Sequence, residues 1–234
     1  MRRVAALLCL WTTAVAAPCQ ALRTFVARNG TFQIDLPADW RELSPSEART
    51  LAARPGAPAE LGYVEPRAFY AIGPVDAWLR GEFDGPWLWV VEQGNEWLIG
   101  DDFAAELTEM WREKGERTGV THTVSAVRRQ PIGADAHEAL VALRTTTTAA
   151  GVAQRSLDVH APTAGREVSL SFTSPLASFD RWHAEFERWL ATLRFARRAR
   201  GTPTLTDRLW TPLLTGGVVT LLLVVLYRQT RRRS

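Results

Sequence analysis

The feature that most constrains this chain lies near its C-terminal end. Residues 210–227, WTPLLTGGVVTLLLVVLY, form an uncharged run of 18 residues followed directly by RQTRRRS. As a helix such a run reaches about 27 Å, close to the hydrocarbon thickness of a bilayer. Trp210 and Tyr227 stand at its two ends, where amphipathic rings prefer the headgroup region. Arg228, Arg231, Arg232 and Arg233 follow as a basic tail of the kind retained on the cytoplasmic side. Thr211, Pro212, Gly216 and Gly217 soften the run without disqualifying it, because Gly and Pro are common in membrane helices. A buried C-terminal helix is the competing reading, and the arginine stop argues against it. One transmembrane helix over 210–227 is expected, and everything before it reads as a domain held at a membrane. Gly216-Gly217 is not a G-x-x-x-G pattern, so the oligomeric state stays open.

The start of the chain supplies the orientation. Arg2 and Arg3 precede the apolar stretch VAALLCLWTTAVAA, the layout of a secretory signal peptide over 1–21. Ala14 and Ala16 place small residues at −3 and −1, so cleavage is expected after Ala16, with Cys19-Gln20-Ala21 as a second option. Pro18 directly before Cys19 fits a lipid-attachment motif poorly. Arg197, Arg198, Arg200 and Arg208 before the C-terminal run match the four arginines after it, so local charge does not orient the helix. The export signal does. The expected layout is an exported domain over 22–198, a linker over 199–209, the membrane helix, and a cytoplasmic tail over 228–234. This describes a single-pass inner-membrane protein with its domain outside or in the periplasm.

The formal net charge of +3 misleads about that domain. Six arginines lie in the signal and the tail, so residues 22–209 carry 22 Lys+Arg against 25 Asp+Glu, a balance of −3. Such a balance gives no electrostatic reason to expect nucleic acid as a partner. The two cysteines, Cys9 and Cys19, both precede the domain, so no internal disulfide is available to it and stability must come from a core.

Alternation and turn residues divide the domain. Residues 24–36 read as a hairpin around Asn29-Gly30, with Phe32, Ile34 and Leu36 on one face. Ser44-Pro45-Ser46-Glu47 is a capping box with proline at the first helical position, predicting a helix over 45–53. Strands are expected at 67–72 and 87–92, joined by the Gly/Pro-rich connection GPVDAWLRGEFDGP. A helix over 101–114 aligns Phe103, Leu107, Met110 and Trp111. Strands follow at 120–129, 139–147, 152–160 and 166–173, with Ala149-Ala150-Gly151 as a tight hairpin. A final helix over 178–193 carries the apolar stripe Phe179, Trp182, Phe186, Trp189, Leu190 and Leu193.

Two stretches then look familiar. NGTFQIDLPADW near the start and SFDRWHAEFERWLATLRF near the end resemble the bookends of PsbP-like and DcrB-like domains. The resemblance implies an α+β fold, an antiparallel β-sheet flanked by helices, here with one C-terminal transmembrane helix added. It also implies an accessory, assembly or partner-binding role, and it brings no catalytic motif. Residues 63–97 depart from the pattern and read as an insertion.

Chemistry is sparse. His122, His137, His160 and His183 are separated by 15, 23 and 23 residues, not the short spacing of metal ligands, so no metal or cofactor is expected. Asp135-Ala136-His137-Glu138 and Asp158-Val159-His160 set acids beside histidines, a weak basis for a hydrolase. No G-x-S-x-G and no Gly-rich phosphate loop is present. Ten tryptophans are the unusual feature, with Trp78, Trp87, Trp89 and Trp97 close together. Trp87 and Trp89 share a strand face and are expected to pack on a helix. Trp78 and Phe83, in the Gly/Pro-rich connection, are the candidate contacts for a partner or for lipid headgroups. The expected function is a membrane-anchored, non-catalytic binding or assembly module for an envelope protein. A small-ligand or lipid-binding domain is the alternative, and a hydrolase the third reading.

Overall fold

The structure is a computed structural model that describes residues 21–58, 69–93, 102–163 and 166–196. The expected linker, membrane helix and tail, and all but the last residue of the expected signal peptide, lie outside the described residues. Among those described, no helix is long and apolar enough to cross a membrane.

The domain is α+β and antiparallel throughout, as expected, but it holds two sheets. Strands β1 (Leu22–Val26), β2 (Phe32–Pro37) and β10 (Arg194–Phe195) make a small sheet in the order β1-β2-β10. The large sheet has the order β3-β4-β5-β9-β8-β7-β6, from β3 (Arg41–Glu42), β4 (Phe69–Gly73), β5 (Trp87–Gln93), β6 (Thr121–Ile132), β7 (His137–Thr147), β8 (Ala153–Thr163) and β9 (Arg166–Pro175). Helices α1 (Pro45–Ala52), α2 (Val75–Arg80), α3 (Phe103–Thr118) and α4 (Phe179–Ala191) cover its faces.

Period-two alternation decides which side each strand shows. Leu157, Val159 and Ala161 of β8 and Val168, Leu170 and Phe172 of β9 turn to one face, where α4 and the small sheet cover them. The α4 stripe read from the sequence lands there whole: Phe179, Phe186, Trp189 and Leu190 are buried, and Trp182 packs alongside. Trp189 meets Trp40 edge-on with ring centroids 4.9 Å apart, tying the first tryptophan of the chain motif to the last helix. On the opposite face Phe103, Leu107, Met110 and Trp111 of α3 pack on Leu140 and Ala142 of β7. There α1 and α2 pack on β4 and β5 as a separate cluster.

Helix α2 and strands β3 and β10 were not legible, and α3 is longer than its spacing predicts. Helix α2 occupies the connection read as irregular, because Pro74 and Gly81 act as its end signals: Pro74 precedes its first residue and Gly81 ends it at φ +93. Helix α3 runs past Gly115 to Gly119, which supplies the left-handed residue at φ 69. Strand β10 is only two residues long. At the first hairpin only Gly30 takes positive φ, and Gly30 N donates to Ala27 O at 2.8 Å, so a longer loop replaces a two-residue turn.

The β6–β7 turn is locked to the end of α4. Ala134 N donates to Leu193 O at 2.9 Å, and a Cβ on Gly133 would stand 2.2 Å from that same oxygen. Gly119 has the same left-handed backbone but nothing within 4 Å. Gly119→Ala is expected to lower stability by about 1 kcal/mol, the left-handed cost alone. Gly133→Ala is expected to cost at least about twice that, because backbone must shift as well. Urea denaturation of both variants measures the difference.

Candidate functional site

The unexpected feature is a polar stripe under the helices. On the sheet face that carries α3, β8 shows Gln154, Ser156, Asp158 and His160, and β9 shows Thr173, Ser171, Ser169 and Glu167. The register sets Ser156 opposite Thr173, Asp158 opposite Ser171 and His160 opposite Ser169. Apolar packing flanks the stripe on both sides, α3 on β7 to one side and α1 with α2 on β4 and β5 to the other. Polar groups removed from water must be paired or they destabilise the fold.

By the C-terminal half of α3 the strand side chains pair with one another, while the indole Nε1 of Trp111 is buried with no partner among the described residues. Arg144 reaches in from β7, Nε donating to Asp158 Oδ2 at 2.7 Å and Nη2 to Oδ1 at 3.1 Å. Its Nη1 donates to Thr146 Oγ1 at 2.7 Å, and the guanidinium lies 3.9 Å from the centre of the Trp111 ring. Ser156 and Thr173 hydroxyls bond each other at 2.8 Å. Burial pushes the Asp158 carboxyl up, but the Arg144 charge and the hydrogen bonds from Arg144 and Ser171 outweigh it and hold the group below the usual carboxylate range. The fork-shaped Arg geometry is what makes so buried a pair tolerable.

His122 borders this network. Its Nδ1 is 3.1 Å from Thr146 Oγ1 and its ring centroid 4.8 Å from that of Trp111. Burial first, then the Arg144 charge, pushes the imidazole down to about 4.

Under the N-terminal half of α3 the pairing is different. His160 Nδ1 is 3.0 Å from both Glu167 Oε1 and Ser169 Oγ, and the Ser169 hydroxyl donates to Glu167 Oε1 at 2.8 Å. The ring of Phe103 stands edge-on to His160 at 5.7 Å. His160 Nε2 is buried with no partner among the described residues.

The residues singled out from the sequence fall elsewhere. Trp78 is fully buried among Leu43, Leu51, Val75 and Trp87, lying over Gly73, where a Cβ would stand 2.4 Å from its ring. The expectation that Trp78 is exposed is therefore corrected: α2 presents Val75 and Trp78 inward at helical spacing, a pattern too short to register in a Gly/Pro-rich stretch. Phe83 is half-buried against the same cluster. Trp87 and Trp89 share a face as read, packing toward α1 and α2. Asp158 turns to Arg144, and His137 Nε2 lies 2.7 Å from Pro162 O with its ring on Phe195, so these acid–histidine neighbours in sequence do not form the same sites in space. Ser169 and Glu167 meet the same imidazole nitrogen, whereas a nucleophile and its orienting acid need opposite nitrogens. No group of three or more His, Cys, Asp or Glu among the described residues is placed to hold a metal. The stripe itself was readable only as alternation, which ordinarily means one buried face and one wet one.

No protein-family model matches the sequence, and no curated protein sequence matches it. Solved structures do. The cyanobacterial PsbP (CyanoP) of Synechocystis superposes with a TM-score of 0.53 at 10% identity, covering 78% of this chain and 95% of that one. A Bacteroides thetaiotaomicron protein (TM-score 0.41, 14% identity) covers 74% of this chain and 48% of its own. A Pseudomonas aeruginosa protein of unknown function (TM-score 0.34, 9% identity) covers 71% and 92%. The fold is PsbP-like, carried by the first of these.

The depressed His122 sets a pH dependence. The unfolded chain takes up its proton near pH 6.5, the folded chain only near 4, so stability conferred above pH 6.5 is lost as pH falls toward about 4. His122→Gln is expected to flatten the stability profile within that window. Urea midpoints at several pH values, compared between the two proteins, check it.

Proposed function

We propose that this is a single-pass inner-membrane protein whose PsbP-like domain stands outside the cytoplasm as a non-catalytic binding or assembly module for an envelope protein. The observation that carries the reading is the shortness of the leash. Strand β10 ends at Phe195, and Ala196 N still donates to Thr31 O at 2.9 Å. Only thirteen residues, 197–209, separate that anchored point from the uncharged run at 210–227. Fully extended they span about 45 Å at most. A domain so held meets membrane-bound partners at high effective concentration, so modest contacts suffice. The export signal, the uncharged run and the arginine tail support the orientation.

The test is extraction of the tagged full-length protein in a mild detergent, followed by mass spectrometry of what accompanies it. A stoichiometric envelope protein, lost when the 210–234 segment is replaced by an unrelated soluble ending, is the expected result. A protein that comes out alone under crosslinking as well as without it would contradict the partner reading.

A further inference from the structure

Among the described residues the two sheets have four edges, and three of them are guarded. Strands β3 and β10 are two residues long, too short to template another chain. Strand β6 is long, but a bulge between Ser125 and Arg128 interrupts it, with Ala126 at φ 53, and it carries Pro131. Strand β1 is different. It runs in unbroken register with β2 over its five residues, holds no proline, and shows Leu22 at 44% and Val26 at 57% exposure. Its flanks fix the direction of its backbone groups. Ala38 N donates to Ala21 O at 2.8 Å and Ala27 N to Phe32 O at 2.9 Å, so the odd-numbered residues exchange hydrogen bonds with β2. The amides and carbonyls of Leu22, Thr24 and Val26 therefore point along the open edge, with no partner strand among the described residues. The one charge on the strand is tied back, because Arg23 Nη2 donates to Trp40 O.

We infer that β1 is the contact between two copies of this chain, which pair antiparallel about Thr24 and join their small sheets edge to edge. The strand is complementary to itself in this register. A two-fold axis at Thr24 sets Thr24 opposite its own copy and Leu22 opposite Val26 of the second copy, so every outward amide meets an outward carbonyl. The exposed apolar side chains then cover each other on one face, and Arg23 meets Phe25 on the reverse face. A slip of one residue sets outward amides against groups already bonded to β2. A slip of two leaves Leu22 or Val26 without a partner. The side-chain pattern thus reads alike in both directions, which a second copy requires and an unrelated strand does not. A contact between five-residue strands is small beside the roughly 1,000 Å² that a stable soluble interface buries. The dimer therefore rests on the proposed membrane tether, which holds copies at high effective concentration, but not on any envelope partner.

The test uses the full-length protein with Cys9 and Cys19 replaced by serine, reconstituted in phosphatidylglycerol liposomes and oxidised with copper phenanthroline. Thr24→Cys is expected to link to its own copy, because a hydrogen-bonded antiparallel pair stands about 5.5 Å apart at Cα, within disulfide reach. Leu22→Cys and Val26→Cys are each expected to stay unlinked, being about 14 Å from their own copies, yet to link when reconstituted together. Charge then tests the register in the Thr24→Cys protein. Leu22→Glu with Val26→Glu sets like charges opposite each other and is expected to cut linking at least about tenfold. Leu22→Glu with Val26→Lys sets opposite charges there and is expected to keep it. Both positions are exposed, and unchanged urea midpoints check that the fold persists. No linking at Thr24→Cys, or equal linking at all three positions, overturns the dimer. Linking of Thr24→Cys in intact cells only to a different polypeptide assigns the edge to a partner's strand and overturns it too. Flotation of the liposomes reports the tether separately. If the protein does not float, the same linking pattern in concentrated solution decides the pairing by itself.

Discussion

The structure depends on one constraint: β8 and β9 stand in the middle of a sheet covered on both faces, yet their sequences alternate as though one face were wet. Ser-Leu-Asp-Val-His on one strand and Ser-Leu-Ser-Phe-Thr on the other place every second residue in the main core and the residues between them on the face that carries α3. Burying polar groups in that position is tolerable only if they satisfy one another. The Arg144–Asp158 fork does this for half of the stripe, with Trp111 closing over the guanidinium. In the other half Glu167 pairs with His160 and Ser169, and His160 Nε2, like Trp111 Nε1 in the first, has no partner among the described residues. The same constraint thus yields an arginine–aspartate fork at one end and a histidine–glutamate–serine cluster at the other.

The apolar half of the fold was legible because period and hydrophobicity agreed. The α4 stripe, the α3 face, the shared face of Trp87 and Trp89 and the Ser44–Glu47 capping box all appear where the spacing put them, the last with both of its reciprocal hydrogen bonds. What was lost was lost to punctuation. Pro74, Gly81 and Gly115 read as breaks, but the first two end a six-residue helix and the third lies inside α3 because a side chain there would strike Val120 O. Trp78 went with them: a tryptophan between a proline and a glycine looked like a loop tip and is a core residue. The hairpin of the small sheet was legible but not its separation as a second sheet, since its third strand comes from the far end of the chain and is two residues long.

The polar stripe illustrates a different limit. Alternation reports that two faces differ, not what lies over each of them. His160 was visible next to Asp158 in the sequence, but its partner in space is Glu167, reached across the β8–β9 hairpin pairing, while Asp158 is claimed by Arg144 from the strand on the other side. Cross-strand geometry, not neighbourhood along the chain, assigns the acids to their bases.

The function proposed rests first on which side of the membrane the domain stands, and labelling answers that directly. With Cys9 and Cys19 replaced by serine, single cysteines are placed at Val152, an exposed turn residue at 53% accessibility, and at Ser234. Intact spheroplasts are then treated with a membrane-impermeant maleimide. Labelling of the residue at 152 before lysis, and of the residue at 234 only after it, is the expected result. The reverse pattern, or labelling of both only after lysis, would contradict an exported domain and remove the basis for an envelope partner.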